Sequence, residues 1–388
     1  TGDGTFNSLS VDLGFEPQWL MIKKSSGSAG WYLYDSMRGV ASTRGDHLLY
    51  ANFTNAETSS QDLYDFTPNG FSLRTPDGDT NENGASYIYM AIRRGSLFPP
   101  ESATEVFAID QGGGSSNPAL ISGFPVDMAI RNYTTGNNHD IANRLSGGRM
   151  YTDVTNAEDA YGSFDYNNGY QFHSSPTTAE YHYMWKRAPG YFDVVAFTGN
   201  ASGVTVNHNL AAQPGFIITK RRDGTSSWTS WHINDGSNYL RFSLESTLQA
   251  FAASGKYGTV NDSSFALVAG ATDTGATYIS YLFATLPGIS KCGSYTGNGS
   301  SQTINCGFTS GARFVFIKRT DSTGDSYVWD TERGIVAGND PHLSLNTGAA
   351  QVTSDDSVDP ANSGFIVNQV SATNVNVSSA NYIFYAIA

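Results

Sequence analysis

Ser290-Lys291-Cys292-Gly293-Ser294-Tyr295-Thr296-Gly297-Asn298-Gly299, followed by Phe314-Val315-Phe316-Ile317-Lys318-Arg319, decides the fold of this chain, because degenerate copies of it recur elsewhere. Thr296-Gly297-Asn298-Gly299 returns as Thr198-Gly199-Asn200-Ala201 and as Thr1-Gly2-Asp3-Gly4. The two offsets, 98 and 295 residues, also carry Lys318 onto Lys220 and Lys23, and an offset that holds over tens of residues marks an internal repeat. The longer offset sets Asp330-Thr331-Glu332-Arg333-Gly334 on Asp35-Ser36-Met37-Arg38-Gly39, and His342-Leu343 on His47-Leu48.

Each copy ends on an aromatic strand: Tyr87-Ile88-Tyr89-Met90-Ala91-Ile92, Tyr181-His182-Tyr183-Met184-Trp185, Tyr278-Ile279-Ser280-Tyr281-Leu282-Phe283 and Tyr382-Ile383-Phe384-Tyr385-Ala386-Ile387. Four closing strands predict four units, at residues 1–97, 98–190, 191–288 and 289–388, with the second the most diverged. Pro99-Pro100, Pro189-Gly190 and Pro287-Gly288 mark the junctions, since proline lacks the donor a ladder needs and stiffens the connection. Thr1 aligns with the middle of a repeat motif, so a first unit truncated at its N-terminus and a chain that is part of a longer protein are expected.

Only 15% of residues are charged, while Gly, Ser, Thr, Asn and aromatics abound, a usage that favours strands and tight turns. The expected class is all-β, each unit an antiparallel jelly-roll-like β-sandwich, either separate or paired into two larger sandwiches. Phe216-Ile217-Ile218, Phe314 to Ile317 and Tyr382 to Ile387 lack polar alternation. One face of such strands should meet its own partner sheet and the other a neighbouring unit or subunit.

The formal net charge of −13 argues against nucleic acid or an anionic membrane as partner, because both would repel the protein at long range. No apolar run approaches the roughly 20 residues needed to cross a bilayer, and nothing reads as a signal peptide. G-x-S-x-G, H-E-x-x-H and P-loop motifs are absent, and no tight pair of carboxylates of the glycosidase kind stands out. The expectation is a protein that is not an enzyme.

The polar residues that repeat are Lys23, Asp35, Arg38 and His47, matched by Lys318, Asp330, Arg333 and His342; the third unit has His232 and Asp235 instead. A carboxylate, an imidazole and two cations suit a sugar acid or acid/base chemistry; a local ion pair that holds a loop is the alternative. Trp31, Tyr32, Trp228 and Trp231 are candidates for stacking on sugar rings, against a role in packing. Asp77, Asp79 and Asn81 alternate as in the first half of a Ca²⁺ loop, although Ile88 stands where a bidentate Glu belongs; a plain Asx turn competes, and no other cofactor is expected. Cys292 and Cys306 flank Gly299 symmetrically, so a hairpin there would allow a disulfide, with two buried thiols as the alternative.

The run from Tyr278 through Pro287-Gly288-Ile289-Ser290-Lys291 into Gly293 to Gly299 resembles a domain family of virion proteins of tailed bacteriophages, notably marine and cyanobacterial ones. Phe314 to Asp321, Trp329-Asp330 and Ala85 to Ala91 look like further blocks of it, over 1–97 and 191–388 and weakly over 98–190. The resemblance implies jelly-roll or concanavalin-like sandwiches at a virion surface, outside the cell, with no catalytic residue to carry over. The expectation that follows is a tail-fibre-like structural protein whose loops attach to a host glycan or protein. Homo-oligomers and other virion subunits are the expected partners. A purely architectural virion role is the alternative, and a polysaccharide-degrading enzyme the third.

Overall fold

In the computed structural model, which describes the chain apart from residues 7–8, 41–45, 94–97, 115, 161–163, 173–175 and 235–254, the strand pairings are antiparallel and the described residues hold no α-helix. Each sequence unit contributes one larger and one smaller sheet. The first unit's larger sheet runs Thr58–Gln61, Asp46–Tyr50, Trp31–Asp35, Pro17–Lys24, Tyr87–Arg93, and its smaller sheet Ser10–Asp12, Gly70–Leu73, Tyr64–Thr67. The fourth repeats the plan, with Ser290–Thr296, Asn381–Ile387, Phe314–Arg319, Ser326–Asp330, Leu343–Ser344 facing Gln302–Asn305, Gly364–Val367, Val358–Ala361.

The repeated Thr-Gly step has a steric cause. A Cβ on Gly2, Gly199 or Gly297 would come within 2.4, 2.6 or 2.2 Å of the carbonyl oxygen of Glu82, Asp273 or Val377. Only glycine lets the chain pass that close. Its own N–H then donates to the carbonyl of Ala85, Ala276 or Ala380 at 2.8 to 2.9 Å, tying each unit's entry to its closing strand.

Strand register makes the larger sheets comparable position by position. Trp19, Met128, Phe216 and Phe314 pair with Ile92, Trp185, Phe283 and Ile387 of the closing strands, and on the other side with Asp35, Asn143, His232 and Asp330. One step along, Met90, Tyr183, Tyr281 and Tyr385 occupy a second shared position. All these residues lie on the sheet face that looks away from the unit's own smaller sheet.

In the second, third and fourth units those faces meet around one core. Trp185 packs on Phe192, Phe283 and Phe314, Phe216 on Phe316, and Phe283 on Tyr385, with ring centroids 5.0 to 6.5 Å apart. The contacts run in a cycle. Tyr281 of the third unit accepts from Asn143 of the second at 3.1 Å, and Tyr183 of the second donates to Asp330 of the fourth at 2.7 Å. The fourth unit closes the ring on the third through Phe316 against Phe216 and Tyr385 against Phe283. Burial of an aromatic or aliphatic side chain contributes roughly 1.5 to 3 kcal/mol, so dozens of such residues outweigh the few polar groups among them. This explains the unbroken apolar strands, which are covered on both faces as expected.

The first unit stands outside that ring, with its own core around Leu20, Tyr34, Leu48, Tyr64, Phe66 and Phe71. It is anchored through Glu16, whose carboxylate takes both Arg187 guanidinium nitrogens at 2.7 and 2.6 Å while Arg187 Nε binds Asp193 at 2.5 Å. The first unit's closing strand differs from those runs: Ile88, Met90 and Ile92 are 52, 50 and 53% exposed, with Tyr89 on the inner face at 49%, whereas Ile383, Tyr385 and Ile387 at the positions of the first three are at most 2% exposed. Tyr87–Arg93 is also an edge strand among the described residues, although its counterparts carry Phe107–Gln111, Phe192–Thr198 and Ser290–Thr296 on that side.

Candidate functional site

The first unit's polar set assembles on the outward face. Asp35 ends its strand and turns the chain: its Oδ1 accepts the backbone N–H groups of Met37 and Arg38 at 3.1 and 3.0 Å, and its Oδ2 takes Arg38 Nε at 2.6 Å. Arg38 Nη1 continues to Glu57 at 2.9 Å, and the other Glu57 oxygen lies 2.7 Å from His47 Nδ1. Burial pushes the Glu57 carboxyl up, but the hydrogen bonds from His47 and Arg38 outweigh it and hold the group below its ordinary range. Glu57 was not among the sequence candidates, although Thr54-Asn55-Ala56-Glu57 recurs as Thr155-Asn156-Ala157-Glu158 in the second unit. Lys23 is not part of the set; its ammonium donates to the Lys24 carbonyl at 2.6 Å. Trp31 lies half-buried on the same face, beside Lys23 in the ladder, with its backbone N–H on Asn52. Gln18, Trp19, Asp35, Met37, Arg38 and Ile92 line a shallow groove there.

The fourth unit's copy is sealed. Asp330 is fully buried and holds Arg333 Nε at 2.5 Å, while Arg333 Nη2 donates to the Tyr183 hydroxyl at 2.8 Å. His342, expected beside this pair as a ligand group, is 4% exposed, lies against the rings of Tyr327 and Trp329, and faces Asp355 at 3.4 Å. Burial lowers its pKa, as does the Arg333 charge, against the opposing pull of Asp355. Asp330 and Arg333 are thus covered by Tyr183 of the second unit and His342 by residues of its own unit, and none of the three side chains is open to a ligand in this structure. Trp228 is corrected likewise: it is 2% exposed, donates its indole N–H to the Tyr151 carbonyl at 2.8 Å and packs near Tyr281. Trp231 is half-buried against the third unit's inner core. Asp235 lies outside the described residues.

The acidic loop behaves as an Asx turn. Asp77 Oδ1 accepts from Asp79 N, Thr80 N and Thr80 Oγ1 at 2.9 to 3.1 Å, Asp79 accepts from the Tyr32 hydroxyl at 2.8 Å, and Asn81 exchanges hydrogen bonds with Asp3. The three side chains serve three different partners instead of converging on a Ca²⁺ position, and no metal-holding cluster of His, Cys, Asp or Glu occurs among the described residues. The proposed disulfide is also corrected. Cys292 and Cys306 are free and buried, because Ser290–Thr296 and Gln302–Asn305 do not form a hairpin about Gly299 but belong to different sheets. Burial pushes both thiols up, that of Cys306 to about 12, which leaves them unreactive.

Buried ion-pair clusters went unforeseen in the sequence, among them two that join units: Glu16, Arg187 and Asp193, and Glu158 with Arg222 at 2.8 Å between the second and third units. Glu16 and Arg222 lie far in the chain from their partners. The signals were Glu158, which closes the second unit's copy of Thr54-Asn55-Ala56-Glu57, and Arg187 and Asp193 on either side of the Pro189-Gly190 junction.

A family model for a domain of unknown function matches residues 1–94 and 187–388. The chain belongs to that family, DUF7483. The matched segments leave out the stretch whose repeat pattern is most diverged, although in three dimensions that stretch supplies a third of the ring. No curated protein matches the chain.

Proposed function

We propose that the protein is a non-enzymatic architectural module of a virion surface, whose β-sandwiches pack sheet face against sheet face and against other subunits of the particle. The observation that carries this reading is the fate of the repeated polar set. Where a sister unit is at hand, Asp330 and Arg333 engage Tyr183 rather than solvent, so the motif serves contact between units. The virion setting rests on the resemblance of the Tyr278 to Gly299 and Phe314 to Asp321 blocks to phage virion domains. The acidic charge favours partners other than nucleic acid and anionic membrane. Asp35 and Glu57 are both tied to Arg38, an arrangement unlike the two separate carboxylates of a polysaccharide-cleaving enzyme.

Host attachment is the second reading, favoured by the part-exposed Arg38, Glu57 and His47 beside Trp31 on the open face. Purified protein tested on a glycan array and on candidate host cells separates the two. The architectural reading expects no saturable binding, together with labelling of intact particles by an antibody to the protein. Saturable cell binding that is lost in Trp31→Ala would overturn it in favour of attachment.

A further inference from the structure

We propose that the outward face of the first unit's larger sheet is a homotypic assembly surface, occupied by the same face of two further copies of the chain about a threefold axis. The inference names a partner for the architectural reading and rests on it only in assigning this face to assembly. Three of the four equivalent faces are covered in the structure, and each is covered by the other two. Ile88, Met90 and Ile92 occupy the register positions of Ile383, Tyr385 and Ile387, and Trp19 and Met21 those of Phe314 and Phe316. The residues are apolar like their counterparts, yet the closing-strand three are half exposed. A contiguous apolar strip of this kind marks a contact site.

The in-chain ring also specifies how copies would meet. At the Met90 position, Tyr183 of one unit reaches Asp330 of another and Tyr281 reaches Asn143, so both contacts join unlike patches, and the three units they link share one core. Carried to the first unit, Met90 of one copy enters the groove at Trp19, Asp35, Met37, Arg38 and Ile92 of the next. The local chemistry suits that exchange. Methionine has no hydroxyl to offer Arg38, and in this unit Glu57 takes the place of the neighbour's phenol as the guanidinium's second partner. The groove wall otherwise meets an unbranched, adaptable side chain suited to filling irregular gaps. Copies that each carry a net charge of −13 repel one another, so assembly should strengthen as salt screens that repulsion.

Sedimentation velocity over a concentration series at low and moderate salt tests this with the full chain. The expected result is a step from 41.7 kDa to three times that mass, favoured by salt. Met90→Glu and Ile92→Lys, both at exposed positions, should weaken it by about tenfold or more with unchanged circular dichroism. Ile121→Glu, at an exposed apolar position of the second unit, should leave it intact. A monomer at every concentration, a dimer such as edge pairing of Tyr87–Arg93 would give, or a trimer indifferent to both variants overturns the proposal. Glycan binding by a normally trimeric chain would sink the architectural reading alone, and a monomer that binds no glycan would sink the trimer alone.

Discussion

Ile387→Ala and Ile92→Ala change the same residue at the same register position of two sister sheets, and the structure predicts very different costs. Ile387 has no exposed surface and sits among Phe314, Ile289 and Tyr385 in the shared core, so truncation loses the full transfer free energy and leaves a cavity. That costs about 2 to 5 kcal/mol. Ile92 is 53% exposed, so about half of the transfer term is lost and no cavity forms, which limits the cost to about 1 kcal/mol. Urea unfolding followed by tryptophan fluorescence checks the pair, at a concentration where sedimentation shows a monomer. Trp185, Trp228 and Trp329 report on the shared core, and Trp19 and Trp31 on the first unit. Equal losses for the two variants would refute the reasoning, because they would mean that the first unit's face is as covered as the fourth's within one chain.

Tyr183→Phe removes the hydroxyl shared by Asp330 and Arg333 and should cost about 1 to 3 kcal/mol, whereas Arg38→Gln in the more exposed first-unit set should cost below about 1 kcal/mol; denaturant midpoints compare them. Burial lowers the pKa of His232 to about 4 from 6.5, so the unfolded chain takes up the proton first and stability present above pH 6.5 is lost as pH falls toward 4. Relative to His232→Gln, the wild type should lose roughly 3 kcal/mol across that window, and parallel pH profiles of the two would contradict the burial. Thiol titration should find two groups that react only after unfolding, while a native mass two hydrogens light would point to a disulfide after all. Asp77→Ala should destabilise by about 1 kcal/mol, equally in calcium and in chelator, as loss of an Asx-turn cap does; a calcium-dependent difference would restore the metal reading.

The class of fold was legible because its signals are local. A glycine forced by a carbonyl 2.2 to 2.6 Å from its missing Cβ, an aromatic closing strand and proline at the junctions all act over a few residues and repeat at fixed offsets. The Asp–Arg turn was legible for the same reason: Asp35 and Arg38, like Asp330 and Arg333, are three residues apart, and the carboxylate caps the turn between them. The hairpin expected about Gly299 failed because a sandwich sends consecutive strands to opposite sheets, and symmetry about a glycine does not distinguish that crossing from a hairpin. The ion pairs of Arg187 and of Arg222 with Glu158 were invisible, since docking of whole units brings those charges together.

Alternation, turn residues and repeat spacing by themselves determined that this chain makes antiparallel β-sheets with apolar residues on both faces, because those features are set by the two-residue period of a strand and by backbone sterics. What only the tertiary structure decided is which of the repeated faces meet. The matching Asp-x-x-Arg-Gly motifs at Asp35 and Asp330 end in different environments, one part-exposed and one under a tyrosine of another unit, because burial depends on where neighbouring sheets dock and not on the residues that carry the motif.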